Sequence, residues 1–105
     1  LKRRCLHLFI DFPQLEQELE IVRLKVPGIS GELARQVVKA VHNIRELDLK
    51  KVPGISETLD WARALVVLNA GELDRELVKD TLNIVLKYEK DIQKTRESLR
   101  QVVED

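Results

Sequence analysis

The chain has 105 residues, 44% hydrophobic and 34% charged, with 18 basic against 18 acidic side chains, a composition that fits one globular domain and excludes a disordered tail. A formal charge of zero provides no long-range field for nucleic acid or an anionic membrane, so either partner would need a local patch, and no nucleic acid is expected. No apolar run reaches the roughly 20 residues of a membrane span, and LKRRCLHLFIDFP turns acidic and prolyl too early for a signal peptide; a cytoplasmic location is expected. The single cysteine, Cys5, excludes an internal disulfide. Methionine is absent even at position 1, and we read the chain as a piece of a longer protein.

In residues 5–12, Leu6, Leu8, Ile10 and Phe12 alternate with Cys5, His7, Phe9 and Asp11, the period of a strand. It is the only strand-like segment, and one strand cannot satisfy its own backbone, so its partners are expected elsewhere. Pro13 closes it. Leu15, Leu19, Val22 and Val26 then fall on one stripe and predict a helix over about 14–25. VPGIS breaks it, and Ser30 is placed to cap a second helix carrying Leu33, Val37, Val41 and Ile44 to about Leu47.

A second VPGIS occupies 52–56. Ser56 is expected to cap a third helix over about 57–69, with Leu59, Ala62, Leu65, Val66 and Leu68 inward and Gly71 marking its end. The copies of KVPGIS at 25–30 and 51–56 read as two loops using the same helix-breaking and helix-capping chemistry, not as a solenoid. Asp74 is expected to cap a fourth helix, with Leu77, Val78, Leu82 and Val85 inward, to Tyr88. Tyr88, Ile92, Thr95, Leu99 and Val102 continue a thin apolar seam, which predicts that this helix runs on and needs a partner surface. The expected fold is mainly α: a small bundle of four to five helices preceded by one orphan strand. Its expected parts are 1–13, 14–88 and a charged helical extension over 89–105.

Chemistry-bearing residues are sparse. His7, His42 and Cys5 have no zinc-like spacing, His42 and Glu46 read as a solvated i, i+4 pair, and no metal site is expected. The sequence contains no GxxxxGK[ST], GxGxxG or GxSxG, so this stretch alone is not expected to be an enzyme. Lys2, Arg3 and Arg4 form a cationic run ahead of the strand, and a rigidly held guanidinium is suited to charge on a transferring phosphoryl group. Trp61 and Arg63 sit two residues apart in LDWARAL. Trp61 is expected in the core with Arg63 over its edge, an arrangement that leaves Arg63 within reach of a ligand.

RRCLHLFIDFP, LEQELEIVRLKVPGIS, ETLDWARALVVLNAGEL and LVKDTLNIVLKY together resemble the C-terminal end of a MoxR-type AAA+ ATPase, of the branch that works with von Willebrand A domain proteins. The resemblance runs to about Glu89. It implies the last strand of a nucleotide-binding core followed by the helical lid, with ATP and Mg held mainly by the absent core. It further implies a ring, usually hexameric, in which the lid closes over ATP and hydrolysis drives remodelling or the maturation of metal-cofactor enzymes. Partners would be the chain's own core, neighbouring subunits and a von Willebrand A domain protein. Arg3 stands where the family has the arginine of its LDRF pattern; the pattern reads LKRR here, so Arg3 and Arg4 are both candidates for the arginine finger acting in trans. The family's sensor 2 arginine lies within SPRA at the start of the third lid helix. This sequence has Ser56, Glu57 and Thr58 there, and Arg63 in WARA, a turn and a half later, is the candidate. The competing expectation is a free-standing helical interaction module docking through the Tyr88–Val102 seam.

Overall fold

The computed structural model describes residues 14–103; the strand over 5–12 and the residues around it lie outside them. The amphipathic stripe of the first segment forms α1, Leu15–Lys25, burying Leu19 and Val22 with Glu16 and Glu18 in the first turn and Arg23 and Lys25 in the last, the polarity that suits a helix dipole. The second forms α2, Gly31–Arg45, ending two residues before Leu47. Ser30 Oγ accepts from the Leu33 amide at 3.1 Å, so this cap is as expected.

The second VPGIS behaves differently. α3 spans Ile55–Val67, its N-cap is Gly54, and Ser56 lies exposed inside the first turn. The reason is one residue. Glu57, three places beyond Gly54, accepts the Gly54 amide on Oε1 at 2.9 Å, whereas the equivalent place three beyond Gly28 holds Gly31, which has no side chain to offer. The first copy therefore relies on its serine, and its Gly28 takes a φ of +91° that a side chain would strain.

The expected helix end at Gly71 is also corrected. α3 stops at Val67, and Asn69 supplies the left-handed residue with φ +61°. The Ala70 amide donates to the Leu65 carbonyl at 3.0 Å and the Asn69 amide to Val66 at 2.9 Å, which is a Schellman closure. Asp74 caps α4, Arg75–Val85, its Oδ1 accepting from the Leu77 amide at 2.9 Å.

α4 does not run on. Leu86 is extended (φ −116°, ψ 143°) and buried, and the chain turns back as α5, Glu89–Glu97, and a short α6, Leu99–Val102. Two polar ties hold this return. Asp91, itself buried, accepts the amides of Lys50 and Lys51 at 2.8 and 3.1 Å, and the Asn43 side chain donates to the Val102 carbonyl at 2.9 Å. Ile92 and Leu99 pack against the core, Val102 enters it and Thr95 is buried, while Tyr88 stays exposed with Lys50 Nζ over its ring, 5.3 Å from the centroid. The seam expected to need an outside partner thus finds it in this bundle.

The fold is a mainly α small helical bundle. α1 packs on α2 and α3, α3 on α4, α6 on α2 and α4, and α5 on α4 and α6. Its centre is Trp61, the largest fully buried side chain, among Leu33, Ile44, Leu65, Leu82 and the valines of α2. The Trp61 indole donates to Thr81 Oγ1 at 2.7 Å, and that hydroxyl donates to the Leu77 carbonyl at 2.7 Å, so the buried polar atoms at the centre are paired. Leu68, expected inward, is 57% exposed. Among the described residues no helix is long and apolar enough to cross a membrane.

Candidate functional site

Helical spacing places Ser56, Asp60, Arg63 and Val67 of α3 on one stripe, and all four are exposed. Trp61, two residues from Arg63, lies about 200° away around the axis and points into the core. Arg63 therefore does not cover its edge, contrary to the expectation above. Its side chain is 53% exposed, and Nη1 lies 3.4 Å from Asp60 Oδ1. An exposed pair of this kind contributes about 0–1 kcal/mol and engages one of the five guanidinium N–H groups. The remaining donors form a fork suited to a carboxylate or phosphate.

Of the other residues singled out in sequence, Arg3, Arg4, Cys5 and His7 lie outside the described residues. His42 does not pair with Glu46. Its Nε2 instead meets Glu18 at 2.8 Å. No group of three or more His, Cys, Asp or Glu able to hold a metal occurs among the described residues.

A buried carboxylate with four hydrogen bonds is one that periodicity assigns to no role. Glu18, on α1, has no exposed surface. Arg45, the last residue of α2, grips it bidentately, Nη1 to Oε1 and Nη2 to Oε2, both at 2.8 Å. His42 Nε2 adds to Oε1, and the Thr58 hydroxyl to Oε2, at 2.8 Å each. An ionised carboxylate has about four acceptor positions, and all four are filled. Arg45 Nε also donates to the Pro53 carbonyl at 2.8 Å, so the second VPGIS loop joins the cluster.

Burial, the largest influence, pushes the Glu18 carboxyl upward. The Arg45 and Thr58 hydrogen bonds, the Arg45 charge and the His42 bond oppose it, and the balance lies below the ordinary carboxylate value. Glu18 is ionised at neutral pH as a result. A signal for it exists in the sequence: position 18 stands at i+3 from Leu15 and i−4 from Val22, inside the apolar stripe, where a charge must be paired if the stripe is buried. Its partners lie 24, 27 and 40 residues away, beyond the reach of any local pattern.

The candidate site is thus an exposed arginine on α3, whose first turn is bonded through Thr58 to a buried charge cluster joining three helices. Compared with protein-family models, curated proteins and solved structures, the chain finds no match in any of the three.

Proposed function

We propose that the chain is the helical lid of a MoxR-type AAA+ ATPase, with Arg63 as its contact to bound nucleotide. The segment resemblance supplies the family, and the observation that carries the reading is Arg63 itself: a half-exposed guanidinium on the outward stripe of the third helix, held by one weak surface pair. The group it fits is a phosphate oxygen, which its planar fork can meet with two parallel hydrogen bonds. ATP with Mg supplies the reaction's free energy and is held, in this reading, mainly by the core domain. Arg63 binds and orients a phosphate, and α3 carries that contact to the rest of the bundle. Arg3 or Arg4 reaches into the neighbouring subunit of a ring, expected to be a hexamer, in the cytoplasm. The movement of the lid is passed through a von Willebrand A domain protein to a client complex or a metal-cofactor enzyme under maturation. The free-standing docking module is the weaker reading, because Ile92, Leu99 and Val102 of its surface are packed inside the bundle.

The test is ATP hydrolysis by the complete reading frame that encodes this chain. Arg63→Ala is expected to lower turnover by at least tenfold, with the roughly 10³ to 10⁵ of an arginine finger on transferring phosphate as the upper bound, and Arg63→Lys to recover only part of it. A reading frame without a phosphate-binding loop, or turnover unmoved by Arg63→Ala, would refute the proposal.

A further inference from the structure

Three helices meet at the Glu18 carboxylate, and each contributes through a different residue. α1 supplies Glu18 in its first turn, α2 supplies His42 and Arg45 in its last turn, and α3 supplies Thr58 in its first turn. The apolar packing of α1 on its neighbours is built from Leu19, Val22 and Val26, and such contacts are non-directional and tolerate sliding. A fully buried carboxylate with four hydrogen bonds of 2.8 Å does not, since any sliding breaks charge-assisted bonds in a place water does not reach.

We infer that Glu18 is a positioning residue: through Arg45 and Thr58 it locks α1, α2 and α3 into one rigid body, so that displacement of α1 is delivered to the first turn of α3 and hence to Arg63. α1 is the first helix of the described bundle. Arg63 stands five residues beyond Thr58 on an unbroken helix. The joint is asymmetric. Arg45 holds Glu18 to α2 with two bonds and reaches the Pro53 carbonyl, whereas the carboxylate's bond to α3 is the single hydroxyl of Thr58, which also lies 3.0 Å from the Gly54 carbonyl. Thr58 is the place where α3 can be uncoupled from α1 with the Glu18–Arg45 pair left intact. Use of the joint in an ATP-driven cycle rests on the function proposed above; the rigidity itself does not.

The experiment is native-state hydrogen exchange on the 105-residue chain without nucleotide, comparing Thr58→Val, Thr58→Ser and the core variant Leu82→Ala. In the parent chain the amides of α1 and α3 are expected to exchange through one shared opening, with protection equal to within about threefold. Thr58→Val should split that unit, the protection of α1 and α3 coming to differ by at least tenfold while α1 stays matched to α2 through the intact Glu18–Arg45 pair, and Thr58→Ser should restore it. Leu82→Ala, a loss of core packing away from the joint, should lower both helices by the same factor. A uniform fall in Thr58→Val would overturn the inference, as would a parent chain in which α1 already opens by itself. Should Thr58→Val fail to fold, Glu18→Gln, which keeps the shape and removes the charge, is read in the same way. Hydrolysis indifferent to Arg63 would sink the proposed function and leave this result standing.

Discussion

Replacing Arg45 with methionine keeps much of the side chain's length and removes every donor. The guanidinium makes two bonds to Glu18 and one to the Pro53 carbonyl, all at 2.8 Å, and its side chain is 7% exposed. Its loss leaves a carboxylate with no exposed surface and two remaining partners, Thr58 and the half-exposed His42. Breaking a buried pair in this way costs about 3–5 kcal/mol, against a total of about 5–15 kcal/mol for a domain of this size. With a urea slope of about 1.5 kcal/mol per molar, the unfolding midpoint should fall by about 2–3 M. Circular dichroism at neutral pH reads this directly. The double variant Glu18→Leu, Arg45→Met exchanges the pair for apolar bulk and should be no less stable than Arg45→Met alone, a coupling of about 3 kcal/mol between the two sites. If Arg45→Met costs under about 1 kcal/mol, or the double variant costs the sum of the singles, the cluster is not the buried, mutually dependent unit described above.

The same carboxylate sets a pH dependence. Its folded value lies below the ordinary 4.5, so its stabilisation is fully present above that pH and is lost as pH falls through the lower, folded value. The stability gap between the parent and Glu18→Gln, from urea midpoints, should close progressively as pH falls below about 4.5. Ser30→Ala should cost about 1 kcal/mol and Ser56→Ala under about 0.5 kcal/mol, although both serines occupy the same place in the same six-residue string; equal losses in thermal melts would contradict the different capping of the two loops. Gly28→Ala meets no atom within 4 Å but inherits a φ of +91°, and should cost about 1–2 kcal/mol through backbone strain alone; a neutral melt would mean the loop adopts another conformation.

Where a helix was marked by both spacing and a capping side chain, as at Ser30 and Asp74, the sequence was sufficient, because spacing and cap are local. Ser56 shows the limit of the same rule. The string is identical at both loops, and the choice of cap is made by the residue after it, Gly31 or Glu57. The turn after α4 carries neither glycine nor proline, so nothing local marks it; burial of Leu86 and the grip of Asp91 on the Lys50 and Lys51 amides decide it, and those are contacts across some forty residues. At the candidate site, the exposure of Arg63 was legible because its surroundings are its own helix. Glu18 was legible only as a charge inside an apolar stripe, since the residues that meet it stand 24, 27 and 40 positions away.

Trp61 is the chain's lone tryptophan, it is fully buried, and its N–H is committed to Thr81. The molecule therefore carries its own optical reporter at the meeting point of α3 and α4. Emission from that ring should be blue-shifted while the core is closed and move to the red when water reaches it, with no second tryptophan to blur the change. Loosening confined to α1 should pass unseen by this ring while circular dichroism registers it, so two light signals from an unlabelled chain distinguish the loss of one helix from the loss of the core.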